Sequence, residues 1–175
     1  WDMNVLFEEY VGRVCQDVLE PTGLDVDLQE AGSVHLAEEA ATKRRAFLLK
    51  PDILVRKGRS PRVVADTKWK RLDPRSADLG VSGEDVYQVL AYAHRYATDS
   101  AVLIYPHHAA VGRPGLQRDF VIQAGGSSRV VVRVVTLDLA RLGSVPRQVE
   151  EGLRAAWEPD RQAAASRGTR SRLWV

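Results

Sequence analysis

Two aspartates set face to face across one hairpin constrain this chain more than any other feature. Phe47-Leu48-Leu49-Lys50-Pro51-Asp52-Ile53-Leu54-Val55-Arg56 and Arg62-Val63-Val64-Ala65-Asp66-Thr67-Lys68-Trp69-Lys70 flank a polar turn from Lys57 to Pro61. Apolar, β-branched runs on either side of a turn with Gly58, Ser60 and Pro61 read as a hairpin. Counting outward with Arg56 opposite Arg62 sets Leu54 against Val64 and Asp52 against Asp66. Strand side chains alternate, so Asp52, Leu54, Val64, Asp66 and Lys68 then share one face. Opposed side chains in an antiparallel pair have Cβ atoms roughly 4.5–5.5 Å apart, and like charges there repel. A divalent cation removes that repulsion, because hard cations take carboxylate oxygens. Lys68 projects from the same face, roughly 7 Å beyond Asp66. A slip of one residue in the register would instead put the two acids on opposite faces.

The surroundings of the hairpin must be those of a soluble globular domain. A chain of 175 residues, 45% apolar and 27% charged, is one domain with a real core. Its net charge of +2 permits a nucleic-acid partner without demanding one. Cys15 is the single cysteine, which excludes a disulfide framework and a four-cysteine zinc or iron–sulfur site. No apolar run approaches the roughly 18 residues of a membrane span, and no signal peptide opens the sequence. An intracellular, cytoplasmic protein is the default. The start at Trp1 suggests a domain excised from something longer.

Residues Asn4 to Leu19 have helical spacing, with Phe7, Tyr10, Val11, Val14 and Val18 on one side. Glu9, Arg13, Gln16 and Glu20 mark the wet face. Glu8 lies on the flank of the apolar stripe, beside Val11 and Cys15. It is either a border glutamate reaching water or an acid aimed at a site. Pro21-Thr22-Gly23 stops the helix. Leu24 to Leu28 reads as a short strand, and Ala31 to Arg45 takes no assignment. Lys43-Arg44-Arg45 is either a solvated cluster or a phosphate contact.

Leu72 to Gly83 is loop-like. Ser82, with Asp85 three residues on, opens a helix through Ala97. Its apolar side is Val86, Val89, Leu90, Ala93 and Ala97. Asp85, Gln88, Tyr92 and Arg95 form a polar ridge. That ridge is either an ordinary exposed face or a set of donors for a phosphate backbone or a site water. Ala101 to Tyr105 predicts a buried strand. His107-His108 predicts an exposed loop, because no second ligand pair is spaced to close a zinc site. Asp119 to Gln123 and Arg129 to Thr136 predict strands around Gly125-Gly126-Ser127-Ser128, and Val130 to Val135 belongs inside. Val145 to Trp157 predicts a closing helix. The domain is expected over 1–158, followed by a mobile basic tail over 159–175.

The order of these pieces is a helix with an acid, a hairpin with Pro-Asp and Asp-x-Lys, and a helix with Gln-x-x-x-Tyr. It resembles the RecB-like branch of the PD-(D/E)xK nuclease superfamily. Leu6-Phe7-Glu8-Glu9-Tyr10-Val11, Leu49-Lys50-Pro51-Asp52-Ile53, Ala65-Asp66-Thr67-Lys68-Trp69-Lys70, Asp85-Val86-Tyr87-Gln88-Val89-Leu90-Ala91-Tyr92-Ala93 and Leu103-Ile104-Tyr105-Pro106 resemble, more closely, the nuclease domain of the McrC family. McrC is the endonuclease subunit of McrBC modification-dependent restriction systems. The resemblance covers roughly Asn4 to Leu139.

The resemblance implies an α/β (α+β) restriction-endonuclease-like fold, with a central mixed β-sheet flanked by helices. It implies Mg2+-dependent hydrolysis of DNA phosphodiesters, with Mn2+ able to substitute. Asp52 and Asp66 would hold the metal, with the Thr67 carbonyl as a third ligand, and Glu8 matches the family's helical acid. Lys68 would orient the attacking water and stabilise charge on the phosphate. Gln88 and Tyr92 would position the scissile strand or Lys68. The implied partners are DNA and an McrB-like AAA+ GTPase motor, the latter through a region outside this chain. The rival function is a catalytically silent DNA-binding or assembly module of the same fold.

Overall fold

The computed structural model describes residues 1–29, 34–123 and 129–157. Among these the chain forms a six-stranded mixed sheet with helices on both faces, and a separate two-stranded flap. The elements in order are α1 (Met3–Leu19), β1 (Asp25–Leu28), β2 (His35–Glu38), β3 (Arg45–Leu48), β4 (Ile53–Lys57) and β5 (Ser60–Thr67). They continue with α2 (Gly83–Tyr96), β6 (Ser100–Pro106), β7 (Gly115–Gln123), β8 (Arg129–Leu137) and α3 (Val145–Trp157). The sheet order is β1-β4-β5-β6-β8-β7, and β2 pairs only with β3. β5, β6 and β8 are mutually parallel, while the outer pairings are antiparallel.

The central parallel strands are covered on both faces, which is why they read as nearly continuous apolar runs. Alternation along them sorts the core into two layers. Ile53, Val55, Val63, Ala65, Val102 and Ile104 pack beneath α1 and α3 with Phe7, Val11, Val149 and Leu153. Leu54, Val64, Ala101, Leu103 and Tyr105 point the other way, against Val89, Tyr92 and Ala93 of α2 and against Leu72, Leu79 and Val81 of the preceding loop. Asp66 has the same parity as Leu54 and Val64 and therefore faces α2.

The helix signals hold. Asp2 caps α1, accepting a 2.9 Å bond from the Asn4 backbone. Ser82 caps α2 by accepting from the Asp85 N–H at 3.1 Å, and the helix ends on Ala97 in the left-handed region at φ 52°. β6, β8 and α3 lie where the sequence puts them.

The hairpin differs in two ways. Leu54 does pair with Val64, but a bulge after Val55 sets Arg56 opposite Pro61 rather than Arg62. Proline has no N–H for the ladder, so the strand accommodates it by shifting register. The run Phe47 to Arg56 is also not one strand. It breaks at Leu49 to Asp52, with Pro51 in the gap, and Phe47 belongs to the flap. Phe47 is 72% exposed and left-handed at φ 58°. For a bulky L-residue that backbone costs roughly 1–2 kcal/mol. The unassigned stretch Ala31 to Arg45 contains β2 and the start of β3, with residues 30–33 outside the described set. The glycine–serine turn at 125–128 and the tail expected over 159–175 also lie outside the described residues.

Candidate active site

The site grows from the end of β5, where the sheet gives way to loop. Ile53 pairs with Ala65, so Asp52 stands one residue outside the ladder on the Asp66 side of the hairpin. It is not a paired strand residue. Its Oδ2 accepts from the Thr67 backbone N–H at 2.7 Å and from the Thr67 hydroxyl at 2.8 Å. That double bond across the strand ends fixes Asp52 beside Asp66.

Asp66 is only 2% exposed. The Lys68 ammonium lies 2.5 Å from Asp66 Oδ2 and donates to Gln88 Oε1 at 2.8 Å. Gln88 in turn donates through Nε2 to the Tyr92 hydroxyl at 2.8 Å, and Tyr92 donates to the Lys50 carbonyl at 3.0 Å. The chain of bonds therefore runs from the Asp-x-Lys strand, over one ridge of α2, to the residue before Pro51-Asp52. Gln88 and Tyr92, four apart on a helix, clamp both halves of the hairpin.

The α2 ridge is thus an inner surface. Asp85 and Tyr92 are buried, at 5% and 4% exposure, and only Gln88 and Arg95 reach the outside. The sequence marked Asp85 as a capping-box residue and a member of the polar ridge, with no site role. Asp85 is the acid beneath the site, accepting two bonds from Lys70 Nζ at 2.9 and 3.0 Å and one from the Tyr105 hydroxyl at 3.4 Å. Lys68 lies 3.7 Å from it. A sequence signal existed in Asp85 lying on the same helical ridge as Gln88 and Tyr92.

Glu8 is half-buried and accepts from Gln29 Nε2 at 2.7 Å. The edge-on contact of Phe7 with Trp69, 5.5 Å between centroids, docks α1 against the loop after Lys68. Burial, opposed by the Gln29 bond, raises the Glu8 carboxyl above its ordinary value, with Asp52 pushing the same way. His107 and His108 are half-buried rather than exposed. His107 meets the Thr136 hydroxyl of β8 at 3.3 Å and His108 the Leu72 carbonyl at 2.8 Å, so the first ties its loop to the sheet and the second to the loop after β5.

The electrostatics centre on Asp66. Burial first, and then the charge of Asp52, push its carboxyl up to about 6 against the pull of Lys68. Burial works to lower the Lys68 ammonium, but Asp66, Asp85 and Asp52 outweigh it and keep the lysine charged. Burial and Asp66 push the Tyr92 phenol up to about 12, so it remains a neutral donor.

A hard divalent cation fits this donor set in kind. Asp66 Oδ2 is buried without a well-aligned hydrogen bond, and two carboxylates crowd the strand ends. Oxygen donors of this type suit magnesium. Among the described residues, however, no three histidine, cysteine or carboxylate side chains converge as a ready-made metal cluster. Glu8 stays with Gln29, and Asp66 with Lys68.

A helix-flanked mixed sheet with paired acids and a lysine at the strand ends has the architecture of restriction-endonuclease-like proteins. The family model for the McrBC 5-methylcytosine restriction system component matches residues 1–106. The chain belongs to that family. The matched span contains Glu8, Asp52, Asp66, Lys68, Gln88 and Tyr92. Among solved structures, it is similar to a chain in the refined half-complex from the tetradecameric assembly of Thermococcus gammatolerans McrB AAA+ hexamers with bound McrC. The likeness has a TM-score of 0.61 at 21% identity and covers 87% of this chain and 33% of that one. At that identity it establishes the fold, and this chain spans about one third of its neighbour's length. No curated protein matches. No helix among the described residues is long and apolar enough to cross a membrane.

Proposed function

We propose that this chain is the nuclease domain of an McrC-like subunit and hydrolyses DNA phosphodiester bonds with a divalent metal. The observation that carries the reading is the placement of the Lys68 ammonium. It is held between Asp66 and Gln88, beside Asp52, on the sheet face that α2 covers.

Asp52 and Asp66 would hold the metal, with the Thr67 carbonyl beside them and Glu8 at the margin. When bound, magnesium, or manganese in its place, polarises the phosphoryl oxygen and lowers the pKa of a bound water. With Asp66 serving the metal, Lys68 would still be held by its bond to Gln88 Oε1. Lys68 then orients the attacking water and offsets charge building on the phosphate. Gln88 and Tyr92 keep Lys68 and the Lys50–Asp52 backbone in register, which is the positioning part of catalysis. Thr67 holds the Asp52 carboxylate in one rotamer by two bonds.

The relative's complex contains an McrB AAA+ hexamer with bound McrC. We assign this chain the same kind of motor partner, with target reading left to that partner.

The test is cleavage of plasmid DNA with magnesium, by the domain alone and with a cognate motor and GTP. Lys68→Ala is expected to abolish cleavage. Its folding should stay nearly intact, because Asp66, deprived of its cation, takes up a proton. A Lys68→Ala protein that nicks DNA at the wild-type rate would remove Lys68 from the mechanism. A folded wild-type complex that binds DNA with magnesium but never cuts it would favour the silent module.

A further inference from the structure

The flap formed by β2 and β3 has no role in the chemistry above, yet it carries three oddities in one place. Leu36, Phe47 and Leu48 are exposed at 44%, 72% and 50%. Phe47 holds a left-handed backbone at φ 58° while most of its side chain stays in solvent. Lys43 and Arg44 in the turn and Arg45 at the start of β3 follow one another, and among the described residues no ion pair takes their side chains.

The flap is also fixed next to the candidate site. Leu49 donates to the Val34 carbonyl at 3.0 Å, and Gln29 donates to the Asp52 carbonyl at 2.9 Å, which closes the base of the flap around Asp52. Arg95 of α2 donates to the His35 carbonyl at 2.8 Å, which ties the flap to the helix of Gln88 and Tyr92. Phe47 is five residues from Asp52, so the two lie within roughly 17 Å. That upper limit is of the order of the roughly 12 Å width of a major groove, so a duplex with its scissile phosphate at Asp52 can reach the flap. The two acids of the flap offset its three cations only in part, leaving one positive charge in excess. Glu39 takes the Thr42 hydroxyl, and Glu38 sits opposite Arg45 in the strand register.

From this arrangement we infer that the flap is a duplex-DNA clamp. Lys43, Arg44 and Arg45 meet backbone phosphates, and Phe47 is an apolar wedge lodged in the adjacent groove. Exposed phenylalanine beside cations suits such a groove, where apolar side chains wedge against base steps. Phosphate contacts and an apolar wedge also differ in a measurable way. Phosphate contacts release counterions and so depend on salt, whereas an apolar contact does not.

The inference rests on the DNA reading above, and its test is independent of cleavage. Anisotropy of a fluorescein-labelled random-sequence duplex is titrated with the protein in chelator over a salt series. The combined Lys43→Ala, Arg44→Ala, Arg45→Ala variant is expected to bind more weakly and to lose about 2–3 from the log–log salt slope. Phe47→Ala is expected to bind about tenfold more weakly with its salt slope unchanged. Phe47→Leu faces the same backbone strain as Phe47→Ala but keeps apolar bulk, and should bind within about threefold of wild type. Melting curves of all three should overlay the wild type.

Binding and slopes equal to wild type in the folded variants would overturn the clamp. So would an equal loss in Phe47→Leu and Phe47→Ala. If those results appear while Lys68→Ala still abolishes cleavage, the flap inference fails and the nuclease reading stands. A wild-type chain with no duplex affinity at low salt overturns the clamp, while the nuclease reading is decided by the cleavage test.

Discussion

Asp66 is the residue on which stability and chemistry pull in opposite directions. Burial and Asp52 hold its carboxyl up at about 6, against 3.8 in the unfolded chain. Between those values the folded state binds more protons than the unfolded one, so this group makes stability fall as pH rises. The cost is absent below about pH 4 and fully present above about pH 6. Asp66→Asn removes the charge while leaving Lys68 its bond to Gln88 and its ion pair with Asp85. In chelator at pH 7 the variant should therefore match or exceed wild type, by roughly 2–3 kcal/mol at most. The advantage should vanish as pH drops below about 4, and urea unfolding of both proteins between pH 4 and 7.5 measures it. A variant less stable than wild type at pH 7 would mean that Asp66 is a net stabiliser. That Asp52 lies on the Asp66 side of the hairpin was legible because strand alternation has a period of two, although Asp52 itself falls just outside the ladder. The site role of Asp85 was not, because its burial depends on Tyr105 and Lys70, which meet it only in three dimensions.

At the scale of elements, the sequence showed most where an apolar period was uninterrupted. β6, β8, α1 and α3 are of this kind. It misled where an apolar run crossed a boundary. Phe47 to Leu49 look like the start of β4, and only Pro51 hints that the chain turns aside there. The Arg56 register depends on a bulge beside Pro61, which no alternation pattern encodes. Close packing of α3 on the sheet is equally hidden in the sequence. A Cβ on Gly152 would lie 2.9 Å and 3.0 Å from the two γ-carbons of Val135, a buried β-branched residue. On Gly12 of α1 the same atom would meet only the tip of Leu28, at 3.0 Å. Helix propensity favours alanine over glycine by about 1 kcal/mol at both sites. Overpacking against a stiff strand costs about 1–3 kcal/mol, more than propensity returns. Gly152→Ala should therefore destabilise, by up to about 2 kcal/mol net, and Gly12→Ala should be near neutral because Leu28 can change rotamer. Urea midpoints of both variants decide the point, and a stabilised Gly152→Ala would show that α3 stands off the sheet.

For the whole molecule, the fold explains why this face of the sheet can host charge. β5 and β4 end where α2 and the loop before it cover the surface, so the acids are dry enough to feel each other. Around that face, the cations of the flap and Lys70 and Arg71 stay exposed. The central claim is that Asp52 and Asp66 form one shared cation site, and it can be tested without DNA or a motor partner. Differential scanning of wild type and Asp66→Asn is carried out in chelator and then in millimolar magnesium. Magnesium should raise the wild-type melting temperature, with a gain of about 2.7 kcal/mol at a hundred times the dissociation constant. Asp66→Asn should start level with or above wild type and lose most of that gain, so the two curves converge or cross. If Asp66→Asn is clearly destabilised in chelator and gains as much from magnesium as wild type, the two carboxylates do not share a metal, and the account of the site is wrong.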